Sequence, residues 1–174
     1  SAASDVYKRQ HHIYIVGCGS AMHAGMVGKY VIEKLARTPV VVDIASEFRY
    51  RDPLLAPDDL VVIISQSGET ADTLAALKLA NSIGADTLAI VNVVGSSIAR
   101  EAKMVMYTLA GPEISVCSTK AYMVQAAFMY LLLSVLRMQE MQLTKNSADS
   151  LYRSFHRFPQ RCRNALTIRH STRR

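Results

Sequence analysis

Short apolar runs rich in β-branched residues recur along the chain and are separated by segments of helical periodicity. This alternation restricts the fold more than any other feature of the sequence, because strands that are apolar on both faces must be covered by helices on both sides. The predicted strands are residues 13–17, 40–44, 60–65, 87–91 and 104–109. We therefore predict an α/β fold, a doubly wound five-stranded parallel sheet with helices on both faces.

The segments between and after these strands carry the spacing of amphipathic helices. In the first of them Val27, Tyr30, Val31 and Leu35 recur at helical spacing, and Pro39 follows the predicted helix end. The other predicted helices are residues 70–83, 97–103, 119–137 and 151–166.

The net charge of +6 at first favours a nucleic-acid partner, but its distribution does not. Residues 151–174 hold seven arginines and no acidic residue, so the first 150 residues are close to neutral. Nucleic-acid binders carry basic residues clustered on the folded body, often interleaved with aromatic residues. We therefore expect no nucleic-acid partner.

Cysteine content and hydropathy indicate the compartment. The chain has three cysteines, Cys18, Cys117 and Cys162, with no Cys-x-x-Cys spacing, which suits a reducing compartment such as the cytoplasm. The longest apolar stretch, residues 121–136, is shorter than the ~20 residues that span a membrane. We interpret it as a buried helix, and expect no membrane association and no secretion signal.

The segment Ser-Gln-Ser-Gly-Glu-Thr, residues 65–70, joins the third predicted strand to its helix. Hydroxyl groups at a helix N-terminus, where backbone N–H groups are unpaired, favour binding of an anion such as phosphate. No lysine follows the glycine, which excludes a nucleotide P-loop. The alternative is an ordinary helix cap, in which Ser67 or Thr70 satisfies the first N–H groups.

Two further loops lie at the carboxyl ends of predicted strands, where ligands bind in such folds. Residues 17–20, Gly-Cys-Gly-Ser, follow the first strand and allow either a tight turn or a close backbone approach to a ligand. Cys18 fits a packing role better than a nucleophilic one, because no base lies nearby in sequence. Residues 111–120 precede the last long helix, and Lys120 there is by default a surface lysine.

Together, four segments resemble sugar isomerase (SIS) domains, and within them the first SIS domain of the glutamine–fructose-6-phosphate aminotransferase (isomerizing) family. These segments are residues 45–51 (ASEFRYR), 65–77 (SQSGETADTLAAL), 92–101 (NVVGSSIARE) and 111–121 (GPEISVCSTKA). The resemblance extends from Ile13 to about Leu166 and implies a flavodoxin-like fold. It implies that residues 13–145 form the SIS domain.

The resemblance also implies a site for fructose 6-phosphate or glucosamine 6-phosphate. Its implied substrate-binding residues are Gly19, Ser20, Ser65, Gln66, Ser67, Thr70, Val116 and Ser118. Ser65, Ser67 and Thr70 would hold the phosphate, with Gln66 also in the pocket. Ser20 replaces a frequent threonine and keeps its hydroxyl, whereas Ala21 replaces a phosphate-binding serine of some members, so one contact is expected to be missing.

The complete enzymes of this family also have a glutaminase domain and a second SIS domain that supplies the catalytic groups. No residue of this chain matches those groups, so the resemblance implies no catalytic residue, no metal and no cofactor here. We expect a fragment that is inactive alone, from a parent transaminase that forms a homo-oligomer and makes glucosamine 6-phosphate for amino sugar synthesis. Residues 1–12 are then a leader outside the fold, 146–166 a linker helix toward the second SIS domain, and 167–174 a disordered basic tail.

Two other functions remain open from the sequence. A sugar-phosphate-sensing SIS module of a transcription regulator would have a helix-turn-helix region before the domain, for which residues 1–12 are too few. Another SIS-type sugar-phosphate isomerase or deaminase is disfavoured by the narrower segments at 45–51 and 111–121.

Overall fold

A parallel sheet forms the centre of the molecule. The computed structural model describes residues 12–111 and 118–140 and the two residues 169–170. The parallel strands are β1 (Ile13–Gly17), β2 (Val40–Ile44), β3 (Leu60–Ser65), β4 (Asp86–Val91) and β5 (Met104–Tyr107). Their order in the sheet is β2-β1-β3-β4-β5, which confirms the predicted five-stranded parallel sheet.

A sixth, two-residue strand extends one edge of the sheet. This strand, β6 (Arg169–His170), pairs antiparallel with β5, and Val105 lies opposite Arg169. These two residues belong to the predicted disordered basic tail, and their pairing with β5 was not predicted. The sheet is therefore mixed at this edge.

Helices cover both faces of the sheet, as predicted. They are α1 (Ser20–Ala36), α2 (Ala45–Phe48), α3 (Ala71–Ile83), α4 (Ser97–Glu101) and α5 (Lys120–Glu140). One apolar core lies between the sheet and α2, α3 and α4, and a second lies between the sheet and α1 and α5. The short helix α2 was not predicted, and the predicted helix 151–166 lies outside the described residues. None of the helices described here has the length and hydropathy to cross a bilayer.

The buried face of α1 differs from the one that its large apolar residues suggest. Tyr30 is 70% exposed and Leu35 is 45% exposed, although both belong to the predicted apolar stripe. The buried residues of α1 are Ala21, Ala24, Gly25, Gly28, Ile32 and Ala36. A Cβ at Gly28 would lie 2.6 Å from the sulfur of Met129 in α5, so glycine allows the two helices to approach closely. Close packing, rather than hydrophobicity, therefore selects this face.

The sheet has a topological switch point between β1 and β3. The chain leaves β1 to form β2 on one side, while β3 lies on the other, so the loops after β1 and β3 diverge. Gly17 at the end of β1 lies opposite Ile64 near the end of β3. A crevice is therefore expected at this point, beyond the carboxyl ends of the two strands.

Candidate functional site

A cavity of about 200 Å³ occupies this switch point. Six of the eight residues predicted to bind substrate line it: Ser20, Ser65, Gln66, Ser67, Thr70 and Ser118. Gly19 adjoins it as the N-cap residue of α1, and Val116 lies outside the described residues. Residues that are up to 98 positions apart in sequence, from Ser20 to Ser118, thus meet around one small space.

The loop 65–70 presents hydroxyl groups that remain able to donate. Ser65 Oγ accepts a hydrogen bond from the Gly68 N–H at 3.0 Å, and Ser67 Oγ accepts one from the Glu69 N–H at 3.2 Å. Since a hydroxyl can both accept and donate, each proton is left for another acceptor. Thr70 is the N-cap residue of α3, yet its side chain makes no capping hydrogen bond. The simple capping interpretation is therefore wrong for Thr70, whose hydroxyl is not used by the helix.

Gly68 allows this loop to approach the loop after β4. Its φ of +68° lies in the left-handed region, and a Cβ there would lie 2.1 Å from Ser96 Oγ. The Ile98 N–H donates to the Gly68 carbonyl at 3.0 Å. Only glycine fits this position without displacing Ser96, which is 3% exposed.

Glu69 is not part of the cavity lining and links the same two loops. Its Oε1 accepts a hydrogen bond from the Ser97 N–H at 2.7 Å. Hydrogen bonds from the side chain and backbone of Ser97 lower the pKa of Glu69 below its ordinary value, and the charge of Arg100 lowers it further. The carboxylate form is therefore the one that holds the loops.

We expect the substitution Glu69→Gln to remove part of the acid sensitivity of the fold. A carboxyl with a lowered pKa in the folded state stabilises it above the pKa of the unfolded chain, and that contribution is lost as pH falls through the folded-state pKa. Urea unfolding should show a smaller drop in midpoint for Glu69→Gln than for the wild type between about pH 6 and about pH 3. Equal drops for the two proteins would show that Glu69 does not carry this linkage.

The turn after β1 brings the backbone close to β3. A Cβ at Gly17 would lie 3.1 Å from the Ile64 carbonyl oxygen and 3.2 Å from the Met22 nitrogen. Gly19 has a φ of +56°, which turns the chain into α1. Gly17 thus allows close backbone packing and Gly19 allows the turn into α1, whereas a contact of this turn with a ligand stays a prediction.

Cys18 lies in the wall of the cavity. Its Sγ is 3.7 Å from the hydroxyl oxygen of Thr73 in α3, a distance at which either atom can donate. Among the described residues that line the cavity, none is histidine, acidic or basic. A base that would activate Cys18 is thus missing from the described lining, and its contact with Thr73 fits the packing role.

Five residues of the cavity lining are not among the eight predicted to bind substrate, namely Cys18, Ala21, Ile64, Thr73 and Gln125. Gln125 belongs to α5 and is 2% exposed. Its position could have been noticed in the sequence, because it is a polar residue inside the apolar stretch 121–136. Within the described ranges, no cluster of three His, Cys, Asp or Glu side chains is arranged to hold a metal ion.

Comparison with known families identifies the domain. Residues 6–135 match the SIS domain family. The chain belongs to the SIS domain family. This SIS domain is 54% identical over 154 residues to a glutamine–fructose-6-phosphate aminotransferase (isomerizing) of Clostridium acetobutylicum, a match that covers 88% of the chain and 25% of that protein. The chain thus spans about a quarter of the length of the curated aminotransferases that it matches.

Solved structures extend the comparison to three dimensions. The SIS domain matches the C-terminal domain of glucosamine-fructose-6-phosphate aminotransferase from Francisella tularensis with a TM-score of 0.73 and 42% identity, covering 83% of this chain and 41% of that one. A glucosamine-6-phosphate deaminase from Thermotoga maritima matches with a TM-score of 0.66 at 21% identity, over 76% of this chain and 42% of that one. The second likeness shows a shared fold alone.

Proposed function

We propose that the chain is the fructose 6-phosphate-binding half of the isomerase region of a glutamine–fructose-6-phosphate transaminase (isomerizing). This proposal rests on one observation. Ser65, Ser67 and Thr70 all line one cavity, and their hydroxyl protons remain available for donation to a ligand. A phosphate group needs several donors, and the N-terminus of α3 adds a favourable dipole. Hydroxyl donors without a permanent counter-charge suit a phosphate that must bind and leave.

The lining of the cavity supports a binding role rather than a complete catalytic one. Moving a proton between C1 and C2 of a sugar requires a positioned acid or base. The described lining offers hydroxyl, amide, thiol and apolar groups, and none of its residues is a carboxylate, a histidine or a lysine. In our proposal these groups come from a second SIS domain, and the phosphate site holds the reacting carbons against them.

The remaining parts of the proposal concern the parent protein. We infer that the chain corresponds to its first SIS domain, and that a glutaminase domain supplies ammonia from glutamine to form glucosamine 6-phosphate. We also propose a homo-oligomer in the cytoplasm. The inferred activity is supported by relatives that are 54% identical over 154 residues and 62% identical over 120 residues, and whose names describe this aminotransferase. The likeness to the deaminase, at 21% identity, shows a shared fold alone.

The phosphate site is tested by removing one hydroxyl at a time. We expect Ser67→Ala or Thr70→Ala to weaken binding of fructose 6-phosphate by about 1–2 kcal/mol, because each removes one hydrogen bond to the ligand. Titration of the chain followed by amide NMR measures the affinity and maps the site. Shifts should cluster at residues 17–20 and 65–70 and should be missing with unphosphorylated fructose.

Two matched variants serve as controls. Thr70→Ser keeps the hydroxyl and should keep most of the affinity. Ser82→Ala removes a hydroxyl from the far end of the same helix, where it bonds the Leu79 carbonyl, and should leave binding unchanged. Wild-type affinity in both Ser67→Ala and Thr70→Ala would contradict the assignment of this loop.

A further inference from the structure

The wall of the cavity contains a hydrogen-bond acceptor without a partner, the side-chain oxygen of Gln125. The serines and the threonine of the cavity, in contrast, offer hydrogen-bond donors. Gln125 is 2% exposed, and its Oε1 is buried without a hydrogen-bond partner. A buried polar atom that lacks a partner lowers stability, so such atoms in folded proteins call for an explanation. The cavity that Gln125 lines is the one in which we place the sugar phosphate.

The chemistry of an amide oxygen determines what it can bind. The doubly ionised phosphate group of a sugar ester has only acceptor oxygens, so it cannot pair with Gln125 Oε1. A sugar hydroxyl can donate to that oxygen. Accepting such a bond requires the terminal amide to turn toward the ligand, and this movement breaks no hydrogen bond made by Oε1.

A second acceptor of the same kind lies in loop 65–70. Gln66 also lines the cavity, and its Oε1 is also buried without a partner. The cavity therefore combines hydroxyl donors with two amide acceptors. A phosphate alone would use the first set, whereas a phosphorylated polyol would use both.

We propose that Gln125 is a specificity-determining residue that accepts a hydrogen bond from a hydroxyl of the bound sugar. It makes the site select a hydroxylated phosphate ester over inorganic phosphate. This inference rests on the proposed function and extends it to a residue on α5, 55 positions beyond Thr70. Gln125 assists binding and takes no part in proton transfer.

The test replaces Gln125 by methionine, which has a similar length and no amide. Binding of fructose 6-phosphate and of inorganic phosphate is measured for the wild type, Gln125→Met and Ser67→Ala. We expect Gln125→Met to weaken fructose 6-phosphate binding about fivefold to tenfold, as loss of one neutral hydrogen bond does. Its affinity for inorganic phosphate should stay within about twofold, whereas Ser67→Ala should weaken both ligands.

Stability of the ligand-free protein separates this role from a structural one. Since Oε1 has no partner, Gln125→Met should unfold at a urea midpoint equal to or above that of the wild type. A lower midpoint with equal losses for both ligands would assign Gln125 to the scaffold and overturn the inference. Unchanged fructose 6-phosphate affinity would also overturn it and would leave the proposed function standing. A wild-type chain that binds neither ligand would overturn the proposed function itself.

Discussion

Replacing Gly68 by alanine is expected to abolish sugar-phosphate binding and to lower the free energy of unfolding by about 3 kcal/mol. The new Cβ would lie 2.1 Å from Ser96 Oγ and 2.5 Å from Ser96 Cβ, far inside van der Waals contact. Ser96 is buried and cannot move aside without opening the loop after β4. The left-handed φ of +68° adds strain for any residue with a side chain. Urea unfolding and a fructose 6-phosphate titration measure the two effects.

Gly95 provides the matched control for this substitution. Its φ is +74°, close to that of Gly68, but a Cβ there has no atom within 4 Å. Gly95→Ala should therefore show only the cost of the backbone conformation, about 1 kcal/mol, and should keep ligand binding. An equal decrease in the free energy of unfolding for the two variants would mean that the contact with Ser96 contributes nothing to the effect of Gly68→Ala.

The second large effect is expected at Phe48, the largest fully buried side chain. Phe48→Ala should lower the free energy of unfolding by about 4 kcal/mol, because it removes buried apolar surface and leaves a cavity. Phe48 packs edge-on against Tyr14, with ring centroids 6.1 Å apart. The Tyr14 hydroxyl in turn donates to the Leu54 carbonyl at 2.7 Å, so the substitution also loosens the segment before β3.

Phe48→Leu is the control, because it keeps most of the volume and should cost less than about 1.5 kcal/mol. Both variants are compared by urea unfolding at one pH. The site lies at the carboxyl ends of β1 and β3, and Phe48 is absent from its lining. Loss of stability without loss of binding in the folded protein is therefore expected, and equal stability of Phe48→Ala and wild type would contradict the packing argument.

The sequence predicted the sheet well because each parallel strand is a separate, mostly apolar run with a nearby helix. Strands β1, β2 and β3 match their predicted ranges at both ends, while β5 ends at Tyr107 instead of residue 109. The loop 65–70 was also accessible to prediction, since its hydroxyl groups lie in one short segment. Six of the predicted binding residues then meet at one cavity, although their contacts with a ligand remain a prediction.

What the sequence could not predict depends on contacts between distant segments. The buried face of α1 includes small residues such as Gly25 and Gly28. The need for glycine becomes clear only in the fold, where Ile15 lies against Gly25 and Met129 lies against Gly28. Gln125 joins the site because α5 packs beside α1, a relation that helical periodicity does not encode. The four-residue helix α2 and the two-residue strand β6 are too short to have a periodic signal.

The loop 65–70 is tied on its outer side by three hydrogen bonds to the segment after β4. The Asn92 N–H donates to the Gln66 carbonyl, the Ile98 N–H to the Gly68 carbonyl and the Ser97 N–H to Glu69 Oε1. Fixing a residue of a free loop costs about 1–2 kcal/mol of conformational entropy. Here folding of the domain has already met that cost, so an arriving ligand does not lose affinity to ordering of this loop. The loop 65–70 is preorganised, and the proposed phosphate binding therefore requires no slow ordering step of this loop.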